Sequence, residues 1–141
     1  MKPEVLSKIC AQVSVYFQKA FEQNQINQNL RSFDTGKFAN VLGYHAKYFF
    51  AMAYFQLAEA EYKAADKAAK GIGRAATYLK ITVAKFDEAK PFVNALGGSY
   101  KANFDKKYSE VVALKDKCVN DNQTVYYEGE PEAASIPKPN A

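Results

Sequence analysis

Few side chains in this 141-residue sequence are of a type and spacing that could do chemistry. The single histidine, His45, lies in the most apolar segment of the chain. A catalytic base or a metal ligand there would need polar partners, and no HExxH, CxxC or Glu-x-x-His spacing supplies them. We therefore expect His45 to be a packed or interface residue, and we predict no metal site.

Two acid pairs and a glycine pair are equally poor candidates for catalysis. Glu59/Glu61 and Asp87/Glu88 could serve as acid and base, but such neighbours point in different directions on a helix and usually form a solvated face. The stretch Gly71-Ile72-Gly73-Arg74 lacks the third glycine of a dinucleotide-binding loop, and no strand precedes it. We predict a turn there, no cofactor and no enzymatic activity.

The composition describes one domain with an ordinary charge balance. The net charge is +4, 48% of the residues are hydrophobic, and no run of 18 apolar residues could cross a membrane. The first residues lack the pattern of a signal peptide. Cys10 and Cys118 are too few for a disulfide framework, so we expect two buried free thiols in a cytosolic protein.

Helices must position these residues, and the first predicted helix has apolar side chains at four-residue intervals. They are Val5, Ile9, Val13, Phe17 and Phe21. This spacing is typical of an amphipathic helix with one buried face. Taken alone, the pattern therefore predicts that Val5 and Ile9 belong to the core.

The second predicted helix runs from Lys37 to about Lys67, with Asp34 as its candidate N-cap. Between residues 44 and 57, aromatic residues and alanines cover most of its circumference. Such a helix needs neighbours on more than one side, so we expect it to be central.

Two further stripes and a tail complete the chain. The third stripe ends near Pro91 and comprises Ile72, Ala76, Leu79, Val83 and Phe86. The fourth follows Ser99, a candidate cap, and comprises Phe104, Tyr108, Val111, Leu114 and Cys118. From about Asn122 the period is lost, and three prolines exclude further helix. We expect an extended tail whose start is tethered to the helices by Tyr126 and Tyr127.

These elements predict an all-α fold: an irregular antiparallel helical stack, with a tetratricopeptide-like arrangement of about four helices and an extended C-terminal tail. No strand alternation of useful length and no convincing internal repeat is present. Most of the twenty Tyr and Phe residues fall at core spacing, which argues against nucleobase stacking and for a protein that does not bind nucleic acid.

Three stretches resemble a known family. The tail sequence DNQTVYYEGEP is similar to that family's D-N-x-x-I-Y-x-x-x-x-P exit from its last long helix. The stretch FFAMAYF resembles its F-x-A-x-A-x-Y core, and residues 2–21 are similar to the preceding helix. The chain thus resembles the C-terminal portion of the BRO (Bro-one) domain of Alix-type ESCRT-associated proteins. His45 departs from the family, which usually has lysine there.

The resemblance implies that residues 1–122 are the helical portion of a BRO-like domain and that residues 123–141 are its tail. Such domains are more than twice this length, so it also implies a fragment or a short relative. Apolar faces that a full domain covers would then be exposed, and a homo-oligomer could form through them.

The resemblance further implies a non-enzymatic scaffold of endosomal sorting or membrane scission, cytoplasmic and recruited to endosomes. Its partner would be the C-terminal amphipathic helix of an ESCRT-III subunit, bound in a groove by Val5 and Ile9 with Lys8 alongside. Peripheral contact with the endosomal membrane is a further expectation.

Two alternatives remain open. One is a generic helical-repeat adaptor for another protein. The other is a basic membrane-surface protein that uses the lysines of the fourth helix, namely Lys101, Lys106, Lys107, Lys115 and Lys117.

Overall fold

The computed structural model describes residues 1–27 and 36–141. Within them lie five α-helices: α1 (Pro3–Ile26), α2 (Lys37–Ala68), α3 (Ile72–Asp87), α4 (Lys90–Leu96) and α5 (Gly98–Asp121). The described residues form no β-strand, and the predicted all-α class is confirmed. Neighbouring long helices run antiparallel, because early residues of one contact late residues of the next. In α3 and α5, for example, Ile72 meets Cys118 and Phe86 meets Phe104.

The short helix α4 is not predicted by the sequence pattern, in which the third helix ends near Pro91. In the structure α3 ends at Asp87, and Pro91 lies in the first turn of α4. Proline is tolerated there because the first-turn N–H groups have no partner within the helix. α4 packs closely on α2, since the ring of Phe92 occupies the space that a side chain at Gly43 would need.

Two predicted helix caps have different outcomes. Ser99 is not the cap of α5, which begins one residue earlier, at Gly98, with Gly97 in the capping position. Gly97 has a φ of 64° and a ψ of −154°, a combination that glycine adopts readily because it has no Cβ. Asp34, the candidate cap of the second helix, lies outside the described residues.

The long helix α2 is central, as predicted. It contacts α1, α3 and α4, and its buried side chains belong to two hydrophobic clusters. The first cluster includes Tyr54, Ala58, Tyr62, Ile72, Leu79 and Cys118. The second includes Tyr44, Ala51, Phe55, Phe86, Val93 and Phe104. The predicted stripes of α3 and α5 supply the other side of both clusters, so these two predictions are confirmed.

A hydrogen-bonded clasp folds the tail back onto the start of α3. After α5 the chain makes one π-helical turn, Asn122–Tyr126, and then extends except for a 3-10 turn at Ala133–Ser135. The prediction that no helix follows Asn122 was therefore wrong for these two short turns, because each lies between prolines or before the first of them. The Glu128 carboxylate accepts hydrogen bonds from the N–H groups of Gly71, at 3.0 Å, and Gly73, at 3.1 Å. These amides at a helix N-terminus lack intrahelical partners and favour a negative charge. The Asn122 side chain secures Glu128 through both of its backbone groups, each at 2.8 Å.

The rest of the tail follows α3. The Thr77 hydroxyl donates to the Pro131 carbonyl at 2.9 Å, and Lys80 pairs with Glu130 at 2.6 Å. Of the two tyrosines expected to tether the tail, only Tyr126 packs on the first cluster, whereas Tyr127 is 75% exposed. The expected tether is therefore made mainly by Glu128, and the expectation for Tyr127 was wrong.

The clasp predicts opposite outcomes for two alanine substitutions. In Gly73→Ala, the new methyl group would overlap the Gly129 carbonyl oxygen. We expect the free energy of unfolding to fall by about 1–3 kcal/mol, as for overpacking elsewhere. In the control Gly129→Ala, the methyl group meets no atom, so we expect a change within about 0.5 kcal/mol. Urea unfolding of both variants provides the measurement, and equal stabilities would contradict the clasp.

Candidate protein-binding surface

The first half of α1 packs on α2 through small side chains. The Ser7 hydroxyl donates to the Ala53 carbonyl at 2.8 Å, and the Ser14 hydroxyl donates to the Ala46 carbonyl at 2.7 Å. Both serines are buried, and the buried Ala11 lies between them. Residues seven apart share one face of a helix, so this face is a narrow strip of small side chains. Small side chains allow the two backbones to approach closely.

Because the face with the two serines is buried against α2, the first residues of the predicted apolar stripe point away from α2. Successive residues of a helix are 100° apart, so Val5 points about 160° away from Ser7. Val5 is 45% exposed and Ile9 is 47% exposed. The prediction from the pattern alone, that both belong to the core, was therefore wrong. Farther along the helix, Phe17 and Phe21 are partly buried, as an apolar stripe predicts.

The structure brings the three predicted binding residues together. Val5 and Ile9 lie one turn apart on the outer face of α1, and the exposed side chain of Lys8 adjoins them. Tyr16, which is 63% exposed, lies on the same face seven residues after Ile9. We call Val5, Ile9 and Tyr16, together with Lys8, the outer surface of α1. Sequence reasoning missed Tyr16, although its spacing from Ile9 was a usable signal.

His45 is surrounded by aromatic rings. Its ring centroid lies 4.9 Å from that of Phe17, 5.2 Å from that of Tyr44 and 6.0 Å from those of Phe49 and Tyr100. Burial lowers the pKa of His45 below its usual 6.5, because a charged imidazolium loses hydration among these rings. His45 is therefore a packed residue, as predicted. The neutral ring is the favoured form at neutral pH.

The remaining candidates for chemistry do not assemble. Cys118 is buried and Cys10 is only partly so, and both are free thiols. Within residues 1–27 and 36–141, no group of three His, Cys, Asp or Glu side chains is placed to hold a metal ion. No helix in the described ranges is long and apolar enough to cross a membrane.

The comparisons with known proteins agree with this picture of a helical module. A family model for the BRO1-like domain matches residues 1–141. The chain belongs to the BRO1-like domain family. Neither the curated proteins nor the solved structures gave a match. BRO1 domains are protein-interaction modules associated with the ESCRT machinery, so an exposed apolar surface on this BRO1-like domain is a candidate binding site.

Paired substitutions on α1 test which face of the helix is buried. Ser14→Leu places a large side chain between α1 and α2, so we expect the free energy of unfolding to fall by about 1–3 kcal/mol. Ile9→Ser changes an exposed side chain, and we expect a shift within about 0.5 kcal/mol. Chemical denaturation of both variants provides the measurement. The opposite ranking would place Ile9 in the core.

The histidine predicts a pH dependence of stability. Since the folded-state pKa of His45 is below its unfolded value of 6.5, the unfolded chain binds the proton more readily. The free energy of unfolding should therefore decrease as the pH falls from about 7 to 5. His45 is the only histidine, so His45→Gln should flatten this dependence. Denaturation at several pH values provides the measurement, and an unchanged slope in the variant would contradict the assignment.

Proposed function

We propose that this BRO1-like domain is an ESCRT scaffold that binds the C-terminal amphipathic helix of an ESCRT-III subunit in endosomal sorting or membrane scission. The outer surface of α1 would be the binding site. The observation that carries the proposal is the exposure of Val5 and Ile9, two branched aliphatic side chains one turn apart. The opposite face of the same helix is already held by α2.

The dimensions of the surface suit a helical partner. At 1.5 Å per residue, Val5 and Tyr16 are about 16 Å apart along α1, which is the length of about three turns of a partner helix. Full burial of one aliphatic side chain contributes about 1.5–3 kcal/mol, so two adjacent anchors could dominate binding. This is the helix-against-apolar-surface mode of recognition, in which residues three or four apart supply the contacts.

Charge supports a partner with an acidic flank. In the part of the chain that the structure describes, Lys8 has no ion-pair partner, so its charge is available to a bound helix. Charges at the rim of an interface mainly set the partner and the association rate rather than the affinity. Under this proposal the domain is cytoplasmic and reaches endosomes through its partner.

The alternative of a basic membrane-binding face receives less support. Four of the five lysines considered for it are paired with acids of the same helix, α5. The pairs are Lys101–Asp105, Lys107–Glu110, Lys115–Asp116 and Lys117–Asp121. This pairing weakens the positive field that attracts anionic lipid. Sedimentation with vesicles containing phosphatidylserine, at low and high salt, tests it directly. Salt-sensitive binding to such vesicles would support the membrane-binding face instead.

Acidic substitutions on the outer surface test the proposed site. In Val5→Asp and Ile9→Asp, a buried carboxylate would replace an apolar anchor, so we expect each to weaken binding of an ESCRT-III C-terminal peptide at least tenfold. Isothermal titration calorimetry or fluorescence anisotropy provides the measurement.

The matched control is Val125→Asp, because Val125 is also exposed, at 64%, but lies in the turn that follows α5. We expect this variant to bind like the parent. If all three variants bind equally well, the site is elsewhere. If the parent binds no ESCRT-III peptide, the domain is an adaptor for another protein.

A further inference from the structure

The end of the tail forms a cavity with the beginning of α1. The cavity has a volume of about 330 Å³ and is built from three parts of the chain that are distant in sequence. Helix α1 contributes Glu4, Ser7 and Lys8, helix α2 contributes Leu57, and the tail contributes Pro137, Lys138 and Asn140. Lys8 therefore belongs both to this cavity and to the outer surface of α1.

The tail is fixed in this position by contacts just before the cavity. Ile136 is only 6% exposed and belongs to the first hydrophobic cluster. The Tyr78 hydroxyl donates to the Pro137 carbonyl at 3.4 Å. Closer to α5, the hydrogen bonds of the Glu128 carboxylate hold the same tail segment on α3. Lys138 thus follows an anchored segment and lines the same cavity as Lys8.

The charges around the cavity favour an acidic ligand. Neither Lys8 nor Lys138 forms an ion pair with any residue that the structure describes, whereas Lys80, beside the same tail, is paired with Glu130. Glu4 is the one acidic side chain of the lining. Leu57 and Pro137 supply apolar wall, and the Ser7 hydroxyl is already engaged with α2. Two unpaired lysines against one glutamate leave the cavity with a net positive charge.

We propose that the tail completes the partner-binding surface: an acidic side chain of the bound helix lies between Lys8 and Lys138 while its apolar face contacts Val5 and Ile9. This proposal rests on the proposed function. On α1, the direction of Lys8 is about 60° from that of Val5, toward the tail. A helix lying on Val5 and Ile9 would therefore present its flank, rather than its apolar face, to the two lysines.

Charge reversal at Lys138 tests the proposal. We expect Lys138→Glu to weaken binding of the ESCRT-III C-terminal peptide about three- to tenfold, as for an exposed ion pair that becomes a repulsive one. Lys106→Glu is the control, because Lys106 is exposed on α5 and the change in net charge is the same. This control should bind like the parent.

A second peptide, with its acidic residues changed to the corresponding amides, separates the ionic contact from a structural effect. We expect the parent to bind it more weakly, and Lys138→Glu to bind the two peptides with similar affinity. If Lys138→Glu and Lys106→Glu bind the natural peptide equally while Val5→Asp does not bind it, the role of the tail is wrong but the proposed function stands. If the parent binds neither peptide, both proposals are wrong.

Discussion

The contact between α1 and α2 determines which side chains of α1 are exposed on the surface of this domain. Two serine hydroxyls donate to carbonyl groups of α2 that already accept a hydrogen bond within their own helix, and a buried alanine separates them. A carbonyl oxygen has two lone pairs, so it can accept both bonds. The hydroxyls are thereby satisfied without water, and the helices lie close together. Because this narrow strip provides the contact in the first half of α1, the larger aliphatic residues at the start of the helix face outward.

The aromatic core behind this contact is formed around α2. Its rings and alanines face α1 on one side and the α3–α5 layer on the other, so a single helix organises both hydrophobic clusters. The tail is attached to these helices by charge-assisted hydrogen bonds as well as by burial of apolar side chains. One carboxylate satisfies amides at the start of α3, where the helix dipole favours negative charge. The burial of Ile136 and the capping by Glu128 together therefore fix the tail, which has almost no helical structure of its own.

The sequence predictions were accurate where the large apolar residues of a helix form its packing face. In α3 and α5 they do, and Leu79, Phe86, Phe104 and Val111 are buried as predicted, with small residues such as Ala75 and Thr82 buried beside them in α3. In α1 either of two faces could be the buried one, the aliphatic face with Val5 and Ile9 or the face with the serines. Hydrophobic periodicity favours the aliphatic face. The hydroxyl-to-carbonyl bonds that decide the outcome depend on a partner helix more than thirty residues away. A local pattern contains no information about that partner.

The candidate site likewise contains residues that could be predicted from the sequence and one that could not. Resemblance to the family pointed to Val5, Lys8 and Ile9, and their common exposure agrees with that expectation without testing it. Lys138 could not be recognised from sequence, because its place in the same cavity as Lys8 results from the whole path of the tail along α3. That path depends on the space above Gly73, the carboxylate of Glu128 and the burial of Ile136. Under the proposal, substitutions at the clasp should therefore weaken binding at α1 by releasing the tail. The proposed binding surface is a property of the assembled fold rather than of α1 alone.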